Sequence, residues 1–125
     1  MPAPTPVGDW LLVGIATQQL WQLRGDQVQA HYDISTASNG AGELSGSECT
    51  PRGWHRVRAR IGDGLPQGAV LRGRRYTGEI WTPALHAQYP NRDWILSRIL
   101  WLCGNEPGLN RGGNVDSQRR YIYFH

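Results

Sequence analysis

Four histidines and two cysteines are the side chains of this 125-residue chain best suited to nucleophilic or acid–base chemistry. His125 stands out among them because it directly follows Tyr121-Ile122-Tyr123-Phe124, an aromatic and β-branched run typical of a strand. Imidazole suits proton transfer near neutral pH. A catalytic histidine also needs a nucleophile to activate and a group that orients it. His125 is therefore the candidate catalytic residue, and its nucleophile has to be found.

The two cysteines are the candidate nucleophiles within the chain. Cys103 ends the apolar run Trp94–Cys103, which predicts a small buried side chain rather than a reactive thiol. Cys49 lies in a Gly/Ser-rich loop, where both an idle thiol and a nucleophile stay open. The sequence alone does not decide which of them, if either, His125 would activate.

The other histidines show no spacing typical of metal ligands. There is no C-x-x-C, no H-x-x-x-H and no dinucleotide or Walker glycine pattern, so we expect no metal and no cofactor. His31 and His86 are expected to face solvent, while His55 is left open. The pair Gly112-Gly113 predicts a sharp turn, which would become an anion nest only if an anion binds there.

The composition narrows the classes of partner. The net charge is +3, and all thirteen basic side chains are arginines. They are spread along the chain and no nucleic-acid-binding motif is present, so we expect no nucleic-acid partner. No run of eighteen apolar residues and no signal-peptide pattern is found, which predicts no membrane partner. The expectation is a cytoplasmic protein, or a periplasmic one if an export signal was removed.

Short runs in which apolar and polar residues alternate with period two are separated by glycines and prolines. This pattern predicts a mainly β fold, a sandwich or barrel with long loops and little helix. Residues 1–9 are expected to be a tail and residues 10–125 one catalytic domain. Gly25-Asp26 predicts a hairpin turn, and only Pro83–Tyr89 looks helical. Predicted strands cover residues 10–16, 18–23, 27–35, 56–61, 94–103 and 121–125, and predicted loops cover 36–53, 62–75 and 104–119.

Read together, a series of motifs resembles the YkuD-type L,D-transpeptidase catalytic domain. Each motif alone is weak, but their order across nearly the whole chain is specific. They are, in order, Gln18-Gln19-Leu20-Trp21, Tyr32-Asp33-Ile34-Ser35-Thr36-Ala37 with a Gly-rich loop after it, Thr50-Pro51-Arg52-Gly53-Trp54-His55, Gly78-Glu79-Ile80-Trp81-Thr82-Pro83, Asn110-Arg111-Gly112-Gly113 and Tyr121-Ile122-Tyr123-Phe124-His125.

The resemblance implies that His125 is the catalytic histidine. In the family the nucleophile is the cysteine of a later Ser-His-Gly-Cys motif, which has no counterpart here, and neither Cys49 nor Cys103 matches it. We therefore expect the domain to be C-terminally incomplete and the 125-residue chain alone to be inactive. A complementing C-terminal segment that carries the nucleophilic cysteine is a possible partner.

The resemblance also implies a substrate, the stem peptide of peptidoglycan or a muropeptide. The absence of an export signal favours L,D-carboxypeptidase trimming of recycled tetrapeptides over transpeptidase cross-linking. A catalytically dead remnant that binds muropeptide or protein is a third alternative. Arg111, Arg74 and Arg75 are candidate partners of substrate carboxylates, and Trp81 is a candidate wall of the groove.

Overall fold

The structure of the chain is a computed structural model that describes residues 6–125. Strand makes up 42% of it and helix 8%, which confirms the predicted mainly β fold with little helix. In the described residues the elements are β1 (Asp9–Gly14), β2 (Gln19–Arg24), β3 (Gln27–Asp33), β4 (His55–Ile61), β5 (Ala69–Arg72), β6 (Arg75–Ile80), α1 (Pro83–Gln88), β7 (Ile95–Leu96), β8 (Ile99–Gly104), a 3-10 helix (Gly113–Val115) and β9 (Tyr123–Phe124).

The first of two compact units comprises residues up to Gly42 together with Ser47–Thr50. Its antiparallel sheet has the order β1-β2-β3, and the predicted turn between β2 and β3 is confirmed. The central strand β2 supplies the buried Leu20 and Leu23. The prediction that β3 is half-buried is wrong at Val28 and Tyr32, which are 57% and 55% exposed. An edge strand has a neighbour on one side only, so alternation alone does not guarantee burial.

The second unit comprises Glu43–Gly46 and Pro51–His125, and it holds two antiparallel sheets of order β4-β8-β9 and β6-β5-β7. Its most buried apolar residues belong to the central strands β5 and β8. The predicted loop 62–75 is wrong, because it contains β5. Ala69, Val70 and Leu71 are at most 2% exposed since β5 is paired on both sides. A run this short between glycines carries no readable periodicity.

The run 94–103, predicted as one strand, is divided between the two sheets of this unit. It breaks at Ser97, which has a φ of 65°. The Arg98 amide donates to the Leu96 carbonyl oxygen at 2.7 Å, an i to i+2 bond that defines a γ-turn. The Ser97 amide donates to Ala69 of β5 at 2.8 Å. The break therefore arises from pairing with β5, which a reading of the run by itself cannot reveal.

The strand predicted at the C-terminal residues is also shorter than expected. Only Tyr123 and Phe124 pair with β8, opposite Trp101 and Leu100. Tyr121 has a φ of 56° and its amide donates to the Gln118 carbonyl, so it belongs to the preceding turn. The helical prediction at Pro83 is confirmed, with Thr82 as the N-cap that accepts from the Leu85 amide.

A matched pair of glycines tests how closely the chain packs on the Ser97 turn. A Cβ at Gly62 would lie 2.5 Å from the Ser97 carbonyl oxygen, whereas a Cβ at Gly64 would meet nothing within 4 Å. Both glycines have positive φ, so both alanine variants carry the same kind of backbone strain. We expect Gly62→Ala to lower the free energy of unfolding by about 1–3 kcal/mol more than Gly64→Ala, measured by urea denaturation. Equal losses would contradict the close packing.

Candidate active site

His125 is positioned by the pairing of β9 with β8. Tyr123 lies opposite Trp101 and Phe124 opposite Leu100, so the next residue, His125, continues toward Ile99. His125 is exposed. It lines an open pocket of about 420 Å³ whose other lining residues are Leu96, Ser97, Arg98, Leu100 and Phe124.

Cys103 is not the thiol that His125 would activate. It lies four residues beyond Ile99 on β8, a displacement of about 14 Å along the strand. Its thiol is buried and the Arg56 Nε donates to its sulfur at 2.9 Å. The prediction of a packed strand residue is confirmed for Cys103.

Cys49 lies in the first unit, and its sulfur is 3.6 Å from the carbonyl oxygens of Asn39 and Ser47. Carbonyl oxygens accept hydrogen bonds, so these contacts suit the S–H form of a loop thiol. Cys49 therefore lies in a loop, as the sequence predicts.

Arg98 lies in the same pocket as His125, and the sequence reasoning missed it. Two hydrogen bonds hold the γ-turn centred on Ser97. The Ser97 amide donates to the Ala69 carbonyl oxygen, and the Gly68 amide donates to the Ser97 hydroxyl at 2.8 Å. The Arg98 side chain is exposed and donates from Nη1 to the Ser97 carbonyl oxygen at 2.7 Å. In residues 6–125 it makes no ion pair with a carboxylate. The only sequence signal was the polar pair Ser97-Arg98 inside an apolar run.

Arg74 does not line the pocket, and its guanidinium is already engaged. Its Nη1 donates to the Tyr123 hydroxyl at 3.2 Å, and its charge lies 4.6 Å from the centre of the Tyr121 ring and 5.3 Å from that of Trp101. The hydrogen bond to Tyr123 raises the pKa of Arg74. Arg75 is exposed at the start of β6, paired across the hairpin with Arg72.

Trp81 and Arg111 also lie outside the lining of the pocket. Trp81 donates from Nε1 to Nδ1 of His86 at 3.1 Å, and the His86 ring stacks on Trp94 at 5.6 Å. The predicted solvent-facing position of His86 is confirmed, although its ring is stacked. Arg111 is exposed in a tight turn, where its carbonyl accepts from the Gly108 amide at 3.2 Å. None of the four predicted substrate-binding residues lines the pocket at His125, although Arg74 contacts Tyr123, two residues before it.

The glycine pair after Arg111 forms a turn, and the chain supplies the anion that faces it. The Asp116 carboxylate accepts from the Gly112 amide at 2.7 Å and from the Arg119 amide at 3.0 Å. These bonds, first of all the one from Gly112, lower the pKa of Asp116. The candidate anion nest is thus occupied by a side chain of the same loop.

A buried polar cluster connects this loop to the segment before β4. Asn110 is fully buried, donates from Nδ2 to the carbonyl oxygens of Arg52 and Trp54 at 3.0 Å, and accepts at Oδ1 from the Glu106 amide at 3.0 Å. Glu106 in turn accepts from the Trp54 amide at 2.7 Å. Every polar atom of the Asn110 amide group is therefore satisfied within the cluster, which makes it a structural element.

His55, left open by the sequence, belongs to the same region. Its Nδ1 lies 3.0 Å from the Gly53 carbonyl oxygen and its Nε2 lies 2.7 Å from the Ser117 hydroxyl. A carbonyl only accepts, so the proton is assigned to Nδ1 and the Ser117 hydroxyl donates to Nε2. Ser117 is fully buried, so substrate cannot reach this Ser–His pair. Burial lowers the pKa of His55.

The fold and the pocket together define the class of protein, a mainly β domain that places a histidine at the end of a short strand beside an open pocket. The model of the YkuD family, the L,D-transpeptidase catalytic domain, matches residues 8–125. The chain belongs to the YkuD family, and the resemblance seen in the sequence is confirmed.

Membership implies an L,D-transpeptidase-type function in peptidoglycan chemistry, with the cysteine dependence of the family. No significant match is found among curated proteins, and none among solved structures. In residues 6–125 there is no helix that is long and apolar enough to cross a membrane.

Truncating Asn110 tests the buried cluster. Asn110→Ala leaves the Glu106 amide and the Arg52 carbonyl oxygen without their partner, while the Trp54 carbonyl oxygen keeps the Asn105 amide, so we expect a loss of about 2–4 kcal/mol in the free energy of unfolding. The control Asn105→Ala removes an exposed side chain of the same loop and should cost less than about 0.5 kcal/mol. Chemical denaturation measures both. A small loss at Asn110 would contradict the assigned role.

The buried imidazole predicts a pH dependence of stability. Because the pKa of His55 is lower in the folded than in the unfolded state, His55 contributes full stability above its unfolded pKa of about 6.5. That contribution is lost as the pH falls through the folded pKa, since the unfolded chain then binds the proton more readily.

The measurement is the urea midpoint between pH 7.5 and pH 5. We expect His55→Gln to flatten the decline seen in the wild type, and His31→Gln, at an exposed strand position, to retain it. An identical decline in the wild type and in His55→Gln would contradict the assignment.

Proposed function

We propose that the chain provides the catalytic histidine of a cysteine-dependent acyl transfer at the L,D peptide bond of peptidoglycan stem peptides. The bond joins meso-diaminopimelate to D-alanine, and water is the proposed acceptor, which makes the reaction an L,D-carboxypeptidase reaction on tetrapeptides. The observation that carries the proposal is the exposed His125 at an open pocket in a chain of the YkuD family.

The proposed chemistry has two steps. A thiolate attacks the carbonyl carbon at the L-centre of diaminopimelate, the C–N bond to D-alanine breaks, and the imidazolium of His125 gives its proton to the leaving amine. Water then attacks the thioester carbonyl, gives a proton back to the imidazole, and the C–S bond breaks. With an amine as the acceptor, the same site would be a transpeptidase.

The thiol is proposed to come from a Ser-His-Gly-Cys segment, which these 125 residues do not include. Cys103 is ruled out by its distance along β8 and by its burial. A polypeptide that continues into such a segment and a separate chain that complements β9 would both satisfy the geometry. Each would place the thiol beside the end of β9, where His125 lies.

The test is an assay of D-alanine release from the tetrapeptide by residues 1–125 followed by a Ser-His-Gly-Cys segment. Because proton transfer by a positioned histidine contributes about 10²–10⁴-fold, we expect His125→Ala to lower the rate by that factor. His31→Ala, at an exposed position on β3, should retain the wild-type rate. Undiminished release by His125→Ala would overturn the assignment.

The same assay distinguishes the two acceptors. With a free D-amino acid present, a carboxypeptidase yields tripeptide and D-alanine only, whereas a transpeptidase also yields the exchanged tetrapeptide. Mass spectrometry of the products reads both outcomes. A dominant exchanged product would replace the carboxypeptidase assignment by the transpeptidase one.

A further inference from the structure

We propose that Arg98 binds the C-terminal carboxylate of the stem peptide, in the pocket that it shares with His125. The inference rests on the proposed function and extends it, because it names the residue that selects a free peptide end. Three observations carry it: the backbone that holds Arg98, the unoccupied donors of its guanidinium, and the short distance that the substrate imposes between its amine and its carboxylate.

The backbone before Arg98 is held in an unfavourable conformation by its surroundings. Ser97 has a φ of 65°, a region that serine seldom adopts, within a γ-turn that is rare in this form. Hydrogen bonds to Gly68 and Ala69 retain it, and Gly62 packs against the Ser97 carbonyl and the Arg98 stem. Strain of this kind persists only where neighbouring structure over-determines it, and it is concentrated at ligand sites.

The guanidinium of Arg98 has donors to offer. A guanidinium carries five N–H donors, and Arg98 uses Nη1 on the Ser97 carbonyl oxygen beside it. Arg92, by contrast, makes two hydrogen bonds to the Glu79 carboxylate, at 2.8 and 3.2 Å. Arg74 is engaged by the Tyr123 hydroxyl and two rings. Arg98 is the arginine that lines the pocket at His125.

The structure of the D-alanine leaving group determines where its terminal carboxylate must bind. In D-alanine a single carbon separates the nitrogen that His125 protonates from the terminal carboxylate. A group that holds this carboxylate must therefore lie in the same pocket as the histidine, as Arg98 does. Arginine matches a carboxylate through two parallel N–H···O bonds. Leu96, Leu100 and Phe124 supply apolar surface for the alanine methyl group.

The experiment compares the tetrapeptide that ends in D-alanine with the same peptide as its C-terminal carboxamide. Both are titrated into the 125-residue chain, and binding is followed by NMR shifts of the pocket residues. The chain is used as wild type, as Arg98→Gln, and as Arg98→Lys, which keeps the charge but not the bidentate geometry. Arg119→Gln is the control, because Arg119 is an exposed arginine of the same unit that does not line the pocket.

We expect the wild type and Arg119→Gln to bind the free acid about tenfold to a hundredfold more tightly than the carboxamide. Arg98→Gln should lose that preference, and Arg98→Lys should keep part of it. Because Arg98 is exposed, its variants should retain the wild-type spectrum outside the pocket.

Two results overturn the inference while the proposed function stands: tetrapeptide binding without preference for the acid in the wild type, or a preference that survives in Arg98→Gln. Absence of any tetrapeptide binding to the wild type at millimolar concentration would overturn the proposed function together with the inference. Comparing the free acid with the carboxamide therefore distinguishes failure of the Arg98 inference from failure of the proposed function.

Discussion

The second unit depends on the hydrogen bonds between Ser97 and the start of β5. Through them one apolar run contributes β7 to one sheet and β8 to the other. Burial of β5 and β8 supplies the apolar core that offsets the unfavourable φ of Ser97. The same turn sets where β8 begins, so it also sets where β9 can pair. His125 therefore occupies its position because Ser97 is hydrogen-bonded to Gly68 and Ala69, far earlier in the chain.

The buried Asn110 cluster is connected by hydrogen bonds to the residues that lead into β9. Asn110 ties its loop to the segment before β4, and its carbonyl oxygen accepts from the Ser117 amide at 2.9 Å. The Ser117 carbonyl in turn accepts from the Ile122 amide at 3.3 Å, one residue before β9 begins. A polar core of this kind is costly to disturb because each buried group depends on the next. These hydrogen bonds connect the cluster to the residue that precedes β9.

Arginine serves different purposes in this one unit. Arg74 and Arg92 lie against aromatic faces, where a weakly hydrated planar cation gains from the ring quadrupole. Arg98 lies against none of these rings and lines the same pocket as His125. This difference in environment is the basis of the proposal that Arg98 is a recognition residue, whereas Arg74 and Arg92 are structural. Residue type alone does not separate them, since all basic side chains of the chain are arginines.

The sequence by itself determined the family, the mainly β class, the β2–β3 hairpin, the short helix and the candidacy of His125. These depend on local signals, which are the alternation of β2 and β3, the Gly25-Asp26 turn, the Thr82 cap and the order of short motifs. Only the tertiary structure decided that residues 94–103 are two strands, that 69–72 are a core strand, and that Arg98 shares a pocket with His125. The physical reason is that these outcomes depend on pairing with residues far away in the chain, and such pairing leaves no periodicity in the segments that it joins.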